Sequence, residues 1–328
     1  MGFEVEGAQS RCCLPDHRQG VDVDTDLDDL AIALYVTCDD LLRAHPERVT
    51  PSPPGGFCAR ISDAEMLTLA VLQALLGHGS ERRWLRYARA HLLGMFPTLP
   101  RQSGYNKRLR ALAPTMAWLT ATLAAMTGIG DDTVWLADST PVECGRSRET
   151  AKRSDLAGWA EYGYCASHSR YFWGLRLHLV TTVHGLPVGW ALTGAKADER
   201  HILHDILTGT TGLGEYIATT PTTIIADKNY YGRSFETELA DAGITLLRPA
   251  RAGEPPRPGQ RFFKPLRQII ESVNETLKGQ LNLEAHGART IAGVCARIGQ
   301  RILALTSVIW HNDHTGAAIR RSLLAYDH

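Results

Sequence analysis

The sequence predicts an α/β fold: a mixed sheet flanked by helices and preceded by an all-helical segment. Three observations carry that expectation. The first 130 residues hold helical periodicity and no strand pattern. From Thr133 onward, apolar runs of strand length alternate with helical stretches. Two of those runs, Thr133-Val-Trp-Leu-Ala-Asp138 and Thr222-Thr-Ile-Ile-Ala-Asp227, each close on a lone carboxylate. Such a run reads as a buried strand that delivers one acid to the edge of a sheet.

Taken in order, residues 1–22 mix Gly, Pro and charge without a period and are expected to be disordered. Apolar residues at helical spacing from Leu27 to Leu42 give a first helix, and Pro51-Ser-Pro-Pro-Gly-Gly56 breaks the chain. Ser62-Asp-Ala-Glu65 is a capping box, in which the hydroxyl and the glutamate each answer a free backbone amide. It opens a helix that runs to Gly77. An arginine-rich helix over Glu81–Leu93 follows, then Tyr105–Ala113 with Lys107, Arg108 and Arg110, then an apolar helix from Pro114 to Met126. Short helices with one basic member are compatible with a helix-turn-helix DNA-binding module, in which Arg108 would face DNA. A bundle with ordinary charged faces gives the same pattern.

The first strand is expected to end at Asp138, with a turn at Pro141. A hairpin follows: Tyr171–Val183, a turn at His184-Gly185, and Leu186–Thr193. Then come a helix over Asp198–Leu207, the strand that ends at Asp227, a short helix over Ser234–Ala242 and a strand over Ile244–Leu247. A Pro/Gly-rich loop spans Pro249–Gly259, and helices over Pro265–Leu281 and Thr290–Trp310 close the unit. This is the element order of a ribonuclease-H-like fold, which gathers acids distant in sequence at one sheet edge.

Lys+Arg and Asp+Glu both number 35, so the formal charge is zero, and only local charge speaks to partners. Basic clusters stand at Arg82–Arg89, Arg101–Arg110 and Arg146–Arg153. The seven cysteines are odd in number and lack the two-residue spacing of a zinc site, so they read as reduced thiols of a cytoplasmic protein. No uninterrupted apolar run reaches about 18 residues, so no membrane span is expected. The N-terminus lacks the pattern of a signal peptide.

Carboxylates a few ångströms apart repel one another, and coexist when a divalent cation neutralises them. Oxygen ligands without a His or Cys partner favour Mg²⁺, with Mn²⁺ as a substitute. Two such ions suit phosphoryl transfer. Asp138 and Asp227 are the first two expected ligands. The segment Lys264-Pro-Leu-Arg267-Gln-Ile-Ile-Glu271-Ser-Val-Asn274-Glu275-Thr-Leu-Lys278 offers the third, as Glu271 or Glu275. Arg267, Glu271, Asn274 and Lys278 fall on one helix face, while Ile269, Ile270, Val273 and Leu277 face the sheet. Cations one turn on either side of an acid suit a phosphate backbone that must pass over it. The histidines, including His201 and His204 on one helix, read as surface or capping residues because the acids already make an oxygen site. Trp135, Trp173, Trp190 and Trp310 read as core.

The face Arg267, Glu271, Lys278 resembles the Arg-x3-Glu-x6-Lys signature of bacterial insertion-sequence transposases with a DDE (Asp-Asp-Glu) catalytic domain. Gly163–His178 and Ala226-Asp-Lys-Asn-Tyr230 are similar to stretches of the same family. Where the signature has a Tyr three residues before the Arg, this chain has Lys264, which can still reach a phosphate. The resemblance covers about Asp132 to Trp310. It implies a ribonuclease-H-like fold, Asp138, Asp227 and Glu271 as catalytic ligands of Mg²⁺ or Mn²⁺, and Arg267, Lys278, Lys264 and Asn274 as DNA contacts. It thereby selects Glu271 over Glu275. It also implies double-stranded DNA partners (inverted-repeat ends and target), homo-oligomers when two ends are synapsed, and a cytoplasmic site of action. Residues 23–130 would be the DNA-binding unit, 131–312 the catalytic domain and 313–328 a tail. The implied reaction is hydrolysis at each element end, then attack of the freed 3′-hydroxyl on target DNA. A nuclease without strand transfer, or an inactive end-binding remnant, are the other readings.

Overall fold

In a computed structural model the chain is described over residues 23–50, 59–165, 169–208 and 222–326. The expected disorder of residues 1–22 and the break at Pro51–Gly56 lie outside the described residues.

The sheet has six strands: β1 (Val134–Gly145), β2 (Glu161–Cys165), β3 (Arg170–Thr182), β4 (Pro187–Gly194), β5 (Thr223–Ile225) and β6 (Thr245–Leu247). Their order is β2-β3-β1-β5-β6, with β4 also paired to β3. β1, β2 and β4 run antiparallel to β3, whereas β1, β5 and β6 are mutually parallel along the sheet. The sheet is therefore mixed, as expected for a ribonuclease-H-like fold.

One strand departs from the expectation. β1 does not end at Asp138 but continues through Pro141 to Gly145. The reason lies in its partners. β5 pairs only with Val134–Leu136, whereas β3 pairs as far as Gly145. Pro141, which has no N–H to donate, therefore sits where β1 has a partner on one side only, the place a sheet tolerates proline.

The helices before the sheet are α1 (Val23–Ala44), α2 (Asp63–Leu75), α3 (Glu81–His91), α4 (Gln102–Ala111) and α5 (Ala113–Ala125). Those after β1 are α6 (Arg148–Arg153), α7 (Glu199–Leu207), α8 (Arg233–Asp241), α9 (Gln260–Glu275) and α10 (Ile291–Thr315). Both halves of the capping box at α2 form, with Glu65 N donating to Ser62 Oγ at 3.1 Å and Ser62 N to Glu65 Oε2 at 2.6 Å.

α10 is the axis of the helical layer. It packs against α5, α2, α1 and α4, while α5 also reaches β4. By length and composition α10 could cross a membrane, but most of it is buried among these helices. One apolar core consequently runs from Leu30 of α1 through Leu123 of α5 to Val308 of α10 and Leu177 of β3. The boundary near residue 130 divides the element order, not the core. After α10 the chain folds back: Tyr326 is buried, and its hydroxyl donates to Asn312 Oδ1 at 2.7 Å.

A buried polar network ties α10 to the arginine-rich helices. Arg297 of α10 pairs with Glu81 of α3 and donates to Gln73 Oε1 at 3.1 Å and Gln300 Oε1 at 3.0 Å. Tyr105 of α4 donates to the same Gln73 oxygen at 2.9 Å, and Asn106 Nδ2 to Glu81 Oε1 at 2.7 Å. A buried charge needs such partners, because desolvation costs several kcal/mol per ion.

Candidate active site

The register of β1 and β5 places the first two acids. Leu136 stands opposite Ile225, and the two pack under Ile270 and Phe263 of α9. Side chains two residues apart share a sheet face. Asp138 and Asp227 each lie two positions beyond that pair, so they emerge level with one another, just past the end of β5 and under α9. Asp227 stands just past the carboxyl end of β5, and Asp138 lies within β1 where that strand has lost β5 as a partner, at the kind of edge where open sheets place their ligands.

Asp138 keeps part of its surface open to solvent. Even so, burial pushes its carboxyl up from 3.8 to about 7, and the charge of Asp227 pushes the same way. Arg267 opposes this, showing that α9 brings a guanidinium near. Asn274 Nδ2 donates to Asp138 Oδ2 at 2.9 Å. The other end of that amide, Oδ1, is buried with no hydrogen-bond partner. Asp227 is clamped by Asn229, whose backbone N donates to Oδ1 at 2.6 Å and whose Nδ2 donates to Oδ2 at 3.0 Å.

Glu271 is on the same helix, one turn before Asn274, but its carboxylate is not drawn into the pair. It is half exposed and accepts from Arg267 Nη2 at 3.3 Å. Like charges repel, and the guanidinium four residues back is the better partner. Among the described residues, no three carboxylates, imidazoles or thiols converge on one point. The structure thus brings Asp138 and Asp227 together and leaves Glu271 outside the pair, on the exposed side of α9.

The expected DNA contacts divide. Lys264 is exposed and Arg267 half-buried near the acids. Asn274 is 6% exposed and bonded to Asp138, so it is part of the acid cluster and cannot touch a phosphate without moving. Lys278 leaves the face of Glu271, because α9 ends at Glu275 and the chain continues as a wider π-type turn over Thr276–Gln280. It lines a cavity of about 910 Å³ at the Gly145 end of β1, which none of the three acids lines. Arg108 turns inward, pairing with Asp63 and donating to Ile61 O at 2.6 Å. It ties α4 to the start of α2 and does not face outward as expected. Arg82, Arg83 and Arg86 of α3 and Arg110 of α4 are among the exposed arginines of this layer.

Two residues near the acids were not singled out from the sequence. Glu199, the first residue of α7, accepts from Ser139 Oγ at 2.5 Å and Arg176 Nη1 at 2.9 Å, and its charge reaches Asp138. Tyr230 is buried against the cluster. Its hydroxyl is pushed well above its ordinary value by burial, then by Glu199, Asp138 and Asp227. The only local signals were the adjacent acids at the start of α7 and the tyrosine three residues after Asp227. Among the described residues no histidine joins the acids in a group of three; His178 bonds Thr193 Oγ1 at 2.9 Å and His311 bonds the Tyr326 hydroxyl at 2.8 Å. Trp135, Trp173 and Trp310 are buried in the core, and Trp190 packs against it.

The sequence model of the family described as the transposase DDE domain matches residues 129–307, more than half of the chain. The match begins just before β1 and ends within α10, so it contains both aspartates, Glu271 and the helix that carries Asn274. No curated protein matches the chain in sequence.

Proposed function

The chain belongs to the transposase DDE domain family, and on that premise we propose that it cuts DNA at the ends of a mobile element and joins the freed 3′ ends to target DNA. Asp138, Asp227 and Glu271 are the catalytic acids. The observation that carries this reading is the level emergence of Asp138 and Asp227 beneath α9, with Asn274 bonded to the first and Glu271 one turn away.

The residues fit a hard divalent cation. The donors are all oxygens, the charge of Asp227 opposes ionisation of Asp138, and Asn274 Oδ1 is buried beside them without a partner. Mg²⁺, or Mn²⁺ in its place, and two ions in all, would be held by Asp138, Asp227 and Glu271. When bound, such ions lower the cost of forming the attacking oxygen and of releasing the leaving one. The protein's own groups do the positioning. Asn229 holds both oxygens of Asp227, and Asn274 holds one oxygen of Asp138. As Glu271 turns inward it releases Arg267, which with Lys264 takes a phosphate of the passing strand. The exposed Arg82, Arg83 and Arg86 of α3 supply a DNA-binding face in the manner of a helix-turn-helix. The work is done on cytoplasmic double-stranded DNA, by a dimer or larger assembly when two ends are held.

Two outcomes follow from the acid cluster. Groups that orient metal ligands typically influence affinity 10–100-fold, so Asn274→Ala weakens Mn²⁺ binding by about that factor in a calorimetric titration. The second concerns pH. In the cation-free protein the folded state holds a proton on Asp138 between pH 3.8 and about 7, where the unfolded chain does not. Stability from this group is therefore full below pH 3.8 and lost as pH rises through about 7. Thermal melts in EDTA should show that slope in the wild type and a flatter one in Asp138→Asn. Cations compete with the proton, so stabilisation by Mg²⁺ should grow over the same window.

A nuclease and a transposase separate on joining. Given a duplex with a pre-cut end bearing a 3′-hydroxyl, a plasmid and Mg²⁺, the wild type yields joined product. Cutting without joining, with binding intact, would establish the nuclease instead.

A further inference from the structure

The cavity that Lys278 lines does not stop at the catalytic layer. It shares the segment His286–Arg289 with a second cavity of about 400 Å³, whose far wall is α4. The shared segment is a fixed ridge. His286 is buried and its Nδ1 accepts from Ala288 N at 3.1 Å. On the other side Thr290 caps α10, with Oγ1 accepting from Gly293 N at 3.2 Å. Arg289, exposed between these two anchors, is thus presented by a stiff turn. Across the second cavity, Gln102, Asn106 and Arg110 of α4 fall four residues apart and share the face toward it.

The charges of the two cavities are unevenly spent. Glu143 is met by Arg146 and Arg170, Glu284 by Arg170, and Glu81 by Arg297. Of the wall acids, Asp155 has no ion pair among the described residues. Lys278, Arg289 and Arg110 have no carboxylate partner among the described residues either, so the unmatched charge is net positive. Three unpaired cations run from the end of α9 across the ridge to α4, spanning the catalytic layer and the helical layer.

We propose that the two cavities form one channel that carries the sugar–phosphate backbone of duplex DNA away from the acids, with Arg289 and Arg110 as its phosphate anchors. The proposal rests on the active-site reading for the direction from which the DNA enters. It makes α4 a wall of a groove that reaches the far end of β1 in the catalytic layer, and not a separate reading head.

The test is the salt dependence of binding to a fluorescein-labelled duplex of mixed sequence, about 30 bp or roughly 100 Å long at 3.4 Å per step. Each lost phosphate contact makes the slope of log K against log salt shallower by about 0.9, and weakens binding roughly eightfold at about 0.1 M salt. Arg289→Ala and Arg110→Ala should each do so, and the pair should lose about 1.8 in slope. Arg289→Lys and Arg110→Lys should keep most of it, because a phosphate accepts a point charge. Arg43→Ala, which removes an exposed arginine on α1, should leave the slope unchanged. If the alanine pair lowers the melting temperature, Arg289→Gln with Arg110→Gln is measured in its place. A folded double variant with the wild-type slope overturns the channel. Asp227→Ala serves as the independent arm. If that variant still cuts DNA while the slopes fall as stated, the acid assignment fails and the channel stands. If it is inactive and the slopes do not fall, the channel fails alone.

Discussion

Asp227→Ala abolishes DNA cleavage while binding of the same DNA stays close to wild type. The expected loss is at least about 10³-fold in rate, since a metal-held transition state draws several kcal/mol from its ligands and each 1.36 kcal/mol is a factor of ten. Asp227 is the clean choice among the acids. Among the described residues its oxygens are held by Asn229, in a loop after β5. Removing it leaves the sheet intact, so the loss reports on chemistry. Asp138 is less clean, because its replacement also strands Asn274 Nδ2 in a buried position. Gel assays of cleavage and anisotropy of the labelled duplex separate the two effects. A variant that still cuts removes Asp227 from the site.

The second large effect concerns the weld between layers. Glu81→Ala should destabilise the protein by about 3–5 kcal/mol, the range for breaking a buried ion pair from one side. Arg297 would be left with only the oxygens of Gln73 and Gln300 to offset its charge, and Asn106 would lose its acceptor. Replacing both Glu81 and Arg297 by Leu should recover much of that loss, because no uncompensated charge remains. Denaturant unfolding measures both. A loss below about 1 kcal/mol for the single change would mean that solvent reaches Arg297 and that the network does not hold α3 and α4 against α10. The consequence reaches DNA binding, because the exposed arginines of α3 and Arg110 of α4 ride on the helices this pair anchors.

Much of the fold was legible because it is periodic. The capping box at Ser62 and Glu65, the hairpin of β3 and β4, and the two strands leading to acids are local patterns whose physics acts over a few residues. The features that were missed depend on partners distant in sequence. Pro141 reads as a turn until β5 is seen to stop at Leu136, which leaves that part of β1 paired on one side. Pro265 reads as a helix start, yet α9 begins at Gln260 and runs on through the proline at its sixth position, at the expense of one backbone hydrogen bond. Asn274 and Arg108 have the composition of surface residues. Each is turned inward by an acid far away in the chain, Asp138 in one case and Asp63 in the other. Lys278 keeps helical spacing from Glu271 in the sequence, but the π-type turn after Glu275 rotates it toward the ridge at Arg289. Glu199 and Tyr230 approach the aspartates only through the fold. No spacing rule connects a helix start after β4 with the end of β1.

The most direct test of the acid site locates the cation on the chain itself. Fe²⁺ can stand in for Mg²⁺ at an oxygen site, and with ascorbate and peroxide it generates radicals that cut the polypeptide beside its ligands. The cut fragments, sized by mass spectrometry, should end near Asp138, Asp227 and Glu271. They should fade when Mg²⁺ is added in excess and disappear in Asp227→Ala. Cuts that persist in that variant, or that cluster away from the middle of β1, the end of β5 and α9, would contradict the three-acid site.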